Sequence, residues 1–255
     1  MDRKLSSLKV FSLMLLLLLL ASPALAQQDR YEEQEETISP RARQHFEQGA
    51  RLEKTGNYEE AIQAYRKAIR LEPAYPQAYH QMGLAYAQLD RYAEATQALQ
   101  EAVRLQPQWG KAHENLGVAY ARQGRWGEAR NAFKEAVRRH PEDAEAHYNL
   151  GLAYGKLKRD QEARAEFAEA VRLQPDYSRG HLQLGLAYFN LGRLDPAGKA
   201  LKEAVRLAPQ DPQARYSLCL YYARTGDLTA ANQEFKALQG LDKDLAQKLA
   251  KLMRK

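Results

Sequence analysis

Two rows of side chains in this sequence have types and spacing that could do chemistry. The first is His45, His113, His147 and His181, and the second is Gln81, Asn115, Asn149 and Gln183. Both follow a period of 34 residues or a multiple of it. Histidines in a row invite a metal reading, but zinc ligands must each lie about 2 Å from one ion. On successive helical units, rings one period apart stand roughly 10 Å from each other. The histidines are therefore expected to pack, and no metal site is expected. A primary amide carries both donor and acceptor, so a regular row of amides suits both backbone groups of an extended peptide. Cys219 is the sole cysteine, which excludes an intrachain disulfide and any Cys-rich zinc or iron–sulfur centre. No phosphate loop, glycine-rich fingerprint or acid–base pair stands outside the periodic pattern. No catalytic residue, cofactor or enzymatic activity is expected.

The elements that position these rows follow from the period itself. AIRLEP at 68–73, AVRLQP at 102–107 and 170–175, and AVRLAP at 204–209 mark the same place in successive copies. Six gapless frames result: 42–75, 76–109, 110–143, 144–177, 178–211 and 212–245. Frame position 8 is Gly49, Gly83, Gly117, Gly151, Gly185 and then Cys219, so the thiol is expected as buried filler. Position 20 is alanine throughout, from Ala61 to Ala231. Position 11 is Leu52 followed by five tyrosines, and position 32 is proline in the first five frames. Each frame holds two amphipathic segments at helical period. Gly56, Gly124, Gly192 and Gly226 fall between them, where a left-handed turn costs glycine little. Small residues at positions 8 and 20 imply a close helix crossing there, and position 32 ends the second helix. Gly198 reads as a weak point inside the second helix of the fifth frame.

This length and residue pattern resemble the tetratricopeptide repeat (TPR) over nearly all of the chain beyond its first segment. The resemblance implies an all-α fold, a right-handed α-α superhelix or TPR solenoid, in which stacked hairpins bury a continuous core. It also implies that positions 2, 5, 6, 9, 12 and 13 of the first helices line a concave peptide-binding groove. On this sequence the resulting site is Gln81, Asn115, Asn149 and Gln183 with Lys111, Arg122, Lys156, Arg179, Tyr148, Leu152 and Leu186. AHENLG and AHYNLG are similar to the asparagine ladder of the O-linked N-acetylglucosamine transferase superhelix, whose catalytic domain has no counterpart here. The carboxylate clamp of chaperone-binding members needs Lys at position 5 and Asn at position 9, and no frame has either.

The chain opens with Arg3, Lys4 and Lys9, an apolar run from Val10 to Ala21, and Ala24-Leu25-Ala26. That is the layout of a secretory signal cleaved after Ala26. A spanning helix needs roughly 20 apolar residues, more than this run supplies. A periplasmic or secreted location follows as the expectation. Residues 27–41 are acidic and aperiodic, and are read as a flexible leader. Residues 246–255 are read as a capping helix with Leu241, Leu245, Leu249, Leu252 and Met253 on one face. A weak membrane contact through its lysines is the alternative. Composition agrees with a soluble interaction protein: of 255 residues 45% are hydrophobic and 27% charged, and a net charge of +6 is too mild for a dedicated nucleic-acid binder. The function expected is a non-enzymatic scaffold that binds a protein or extended peptide in its groove, in the cell envelope. Two alternatives are a structural part of a secretion, pilus or polysaccharide-export assembly, and a subunit that presents substrate to a separate enzyme.

Overall fold

A computed structural model of the protein describes residues 38–253. The expected signal and most of the expected leader lie outside the described residues. Residues 38–75 belong to one compact unit and residues 76–253 to a second. The first unit holds α1 (Pro40–Lys54) and α2 (Tyr58–Leu71). The second holds α3 (Pro76–Gln88), α4 (Tyr92–Leu105), α5 (Gly110–Arg122), α6 (Trp126–Arg139), α7 (Ala144–Lys156), α8 (Asp160–Leu173), α9 (Ser178–Asn190), α10 (Leu194–Leu207), α11 (Pro212–Thr225), α12 (Leu228–Leu241) and α13 (Lys243–Met253). Among the described residues there is no strand, and no helix is long and apolar enough to cross a membrane. The leader, expected to run through residue 41, gives way to helix at Pro40. Ser39 Oγ accepts from Ala42 N there, and proline suits a first turn whose N–H has no partner to lose.

In the first five frames the paired helices cross closely because position 8 has no side chain, while in the sixth Cys219 takes that place. A Cβ on Gly117 or Gly151 would stand 2.6 Å from the ring of Phe133 or Phe167, and one on Gly83 or Gly185 2.7 Å from Leu99 or Leu201. The glycine is thus the seat of the large residue at position 24. The close contact therefore has a third member beside the Gly and Ala of positions 8 and 20. The turn between paired helices is left-handed at Gly56, Gly124, Gly192 and Gly226, and equally at Asp90 (φ 57°) and Lys158 (φ 61°). The arginine that follows stacks on the position 11 tyrosine: Arg91 over Tyr86, Arg125 over Tyr120 and Arg159 over Tyr154, at 4.7, 4.6 and 4.9 Å.

In the second unit the histidine row ties each hairpin to the one before it. His113, His147 and His181 place Nε2 at 3.0, 3.1 and 2.9 Å from the carbonyl oxygens of Pro107, Pro141 and Pro175. Arg215 uses Nε on Pro209 in the same way, at 2.8 Å. A proline carbonyl at the end of a helix is an acceptor without an intrahelical donor, and the position 4 side chain supplies one. The last helix starts at Lys243, ahead of the expected 246, because Asp242 Oδ1 caps it by accepting from Leu245 N at 2.8 Å. Its buried face is Ala246 and Leu249, with Leu245 beside them, packed on Cys219, Leu238 and Ala231. Leu252 is 57% exposed, so it does not share that face as the sequence reading had it.

Candidate functional site

The expected groove residues divide into three groups. Leu152 and Lys156 from α7 and Gln183 and Leu186 from α9 line one cleft of about 550 Å³. Phe167 and Ala163 of α8 line it too, together with Gly155, Lys158, Asp160 and Asn190. The paired amphipathic helices explain the mixture. Position 9 presents an aliphatic side chain that is half-buried against the core, while positions 6 and 13 on the same stripe remain polar. Lys156 Nζ lies 5.7 Å from the centre of the Trp126 ring. Lys158, Phe167 and Asn190 join the lining beyond the residues expected there. Asn190 stands at position 13 beside residues that were named, and Lys158 occupies the position where four other frames carry glycine.

The second group, Gln81, Asn115, Asn149 and Lys111, is engaged with neighbouring side chains, where the sequence leads one to expect amides open to a peptide backbone. Asn115 Nδ2 lies 2.8 Å from His80 Nε2, and Asn149 Nδ2 donates to Glu114 Oε1 at 3.3 Å. In each pair the position 6 amide of one repeat meets the position 5 side chain of the repeat before. His80 is buried and stacks on Trp109 with centroids 4.4 Å apart. Its Nδ1 lies 3.2 Å from Gln81 Oε1. A neutral ring protonated on Nδ1 satisfies both contacts, donating to Gln81 and accepting from Asn115. Burial lowers the His80 pKa to about 4, against the hydrogen bond to Gln81. Glu114 is 5% exposed, and its charge is met by Lys111 Nζ at 2.6 Å. Desolvation opposes the Lys111 ammonium, but the bond and charge of Glu114 outweigh it and its pKa rises.

The third group does not form a groove surface with the others. Tyr148 is buried, tilted against Phe167 and Tyr177 at 5.8 and 5.2 Å, and belongs to the core. It lies under Arg179, whose guanidinium covers both tyrosine rings and approaches Glu145 at 3.8 Å. Arg122 is exposed at the end of α5, away from the cleft lining. Cys219 is fully buried and donates to Ala231 O, and burial pushes its thiol pKa up to about 11, far from a nucleophile's range. Among the described residues no group of three His, Cys, Asp or Glu is placed to hold a metal ion.

No curated protein sequence matches the chain. The structure resembles that of MamA, with 25% identity, a TM-score of 0.61, and coverage of 64% of this chain and 95% of that one. It also resembles YrrB, described as a TPR protein with an unusual peptide-binding site, at 22% identity and TM-score 0.64 over 74% of this chain and 99% of that one. A third likeness is to pilF of Pseudomonas aeruginosa, at 19% identity and TM-score 0.69 over 82% and 96% of the two chains. At these identities the last two likenesses speak for the fold alone. The fold is that of TPR interaction scaffolds, which are generally not catalysts. A family profile described as the cilia and flagella-associated protein 70 C-terminal domain matches residues 8–252, and the chain belongs to that family of tetratricopeptide-repeat domains.

Proposed function

We propose that this protein is exported, loses its signal after Ala26, and acts in the cell envelope as a non-enzymatic scaffold that holds an extended segment of a partner protein. The observation that carries the binding reading is the cleft between α7 and α9. Leu152, Leu186 and Phe167 offer apolar surface there, beside the donors and acceptors of Gln183 and Asn190 and the ammonium of Lys156. Apolar surface with a few polar groups that fix orientation suits a peptide, whose side chains take the apolar part and whose backbone takes the amides.

The test is photo-crosslinking. A benzophenone amino acid at Gln183 should crosslink one extended partner segment in envelope extract, while the same probe at exposed Lys134 of α6 should not. A stoichiometric complex that crosslinks from Lys134 and never from Gln183 would overturn the groove reading in favour of a structural role. Export is checked separately: intact mass of the secreted or periplasmic protein should correspond to a chain beginning at Gln27. Recovery of the full chain in membranes would contradict it.

A further inference from the structure

The cleft between α7 and α9 is bordered by Lys158 and Gly155. Lys158 holds a left-handed conformation, φ 61°, at the turn position where four other repeats use glycine. Gly155 lies in the last turn of α7, and a Cβ there would meet nothing within 4 Å, so packing does not require its absence. Gly155 leaves the cleft open, and Lys158 brings a second ammonium to the side that already carries Lys156. Neither lysine has a carboxylate partner among the described residues, whereas Arg125, Arg159 and Arg172 each pair with a glutamate. Asp160 is the one carboxylate in the lining, so the cleft keeps a net positive charge over an apolar floor.

We infer that this cleft selects an acidic–apolar segment: an aliphatic side chain of the partner rests on Leu152, Leu186 and Phe167, and a neighbouring carboxylate is held by Lys156 and Lys158. The inference rests on the groove-binding reading and gives it a ligand chemistry. The lysines stand at frame positions 13 and 15, with Tyr148 and Leu152 at positions 5 and 9, so the site is built from other positions than the chaperone-type clamp. Charge complementarity of this kind sets partner choice and association rate, and weakens with salt.

The experiment titrates the full chain with three fluorescein-labelled nonapeptides: alternating leucine and glutamate, and the same peptide with glutamine or lysine in place of glutamate. Fluorescence anisotropy should show the glutamate peptide bound at least tenfold more tightly than the lysine peptide, and less tightly as salt rises. Lys158→Gly should weaken the glutamate peptide at least threefold while leaving the melting temperature equal or higher, because glycine relaxes that turn. Lys156→Gln with Lys158→Gly should abolish the preference for acid. Gly155→Leu should fill the cleft and weaken all three peptides without loss of stability. Equal affinity for the three peptides, all still blocked by Gly155→Leu, would overturn the charge assignment and leave the groove reading standing. Binding indifferent to Gly155→Leu and to both lysine changes would overturn the location. Absence of saturable binding by any peptide would overturn the inference, and absence of a crosslink from Gln183 as well would take the groove reading with it.

Discussion

At Asn149 the amide has a structural duty, because it donates to the buried carboxylate of Glu114. Truncation leaves that acceptor short of a partner inside the protein, where an unmade hydrogen bond to a charged group costs about 1–3 kcal/mol. Asn149→Ala should therefore lower stability by about that amount in urea unfolding, and a change within a few tenths of a kcal/mol would show that the amide is free. Asn115 has the same standing toward His80. The amide row was legible in the sequence as a row. The partners of Asn115 and Asn149 were not, since each lies 35 residues away and the frame does not say that position 5 of one repeat faces position 6 of the next. His80 adds a pH dependence of definite sign. Its folded pKa of about 4 lies below the ordinary 6.5 because of burial. Below pH 6.5 the unfolded chain takes up a proton that the folded ring refuses. The stabilisation present above pH 6.5 is thus lost as pH falls toward 4, by about 3 kcal/mol in all. His113, lowered by burial, acts in the same direction. His147 acts oppositely: burial opposes its charge, but its bond to Glu166 at 2.7 Å raises its pKa, so its contribution is complete below 6.5 and fades as pH rises through the raised value. The destabilisation caused by His80→Phe should shrink by about 3 kcal/mol between pH 7 and pH 4. Parallel stability curves for the two proteins would contradict the assignment.

At the scale of the element, the helices were readable because a 34-residue period repeats the same turn, cap and core pattern six times. What the period hides is where one copy departs from the rest for a reason in its neighbour. Gly198 read as a weak point in α10, yet a Cβ there would collide with the hydroxyl and ring of Tyr221 on α11, so the glycine is the seat of a tyrosine from the next repeat. Asp90 and Lys158 stand at left-handed turns without being glycine, which position alone could have flagged and composition could not. The position 8 glycines give the sharper test. In an isolated helix Gly→Ala gains about 1 kcal/mol. In α7 the added methyl would stand 2.6 Å from the Phe167 ring, which is buried and cannot swing aside. Overpacking of this kind costs typically 1–3 kcal/mol. Gly151→Ala should therefore destabilise the protein by about 1–2 kcal/mol, with its melting temperature falling by calorimetry. A rise would mean that the helices part at little cost.

A solenoid is held by contacts between neighbouring units, so at the scale of the molecule its last hairpin depends on whatever covers it. Here α13 covers α11 and α12 through Ala246 and Leu249, and beneath them lies Cys219. This repeat departs from the others at the helix crossing: a thiol replaces the position 8 glycine, and Phe235 at position 24 is only half-buried, while Tyr65, Leu99, Phe133, Phe167 and Leu201 are buried. The last crossing is consequently less tightly closed, and the cap carries more of its stability. Cys219 makes that dependence measurable. It is the only thiol of the chain, it is fully buried, and its high pKa keeps it protonated at neutral pH. It reacts with a disulfide reagent only when the end of the solenoid opens. Leu249→Ala removes a fully buried side chain from the cap, a change that costs about 2–5 kcal/mol where the site cannot collapse. If the cap stabilises the last repeat, the thiol should label at least tenfold faster in Leu249→Ala than in the parent, while Leu252→Ala, at an exposed position of the same helix, should leave the rate alone. Equal labelling of parent and Leu249→Ala would mean that α11 and α12 hold their crossing unaided and that α13 rests on them without contributing to it.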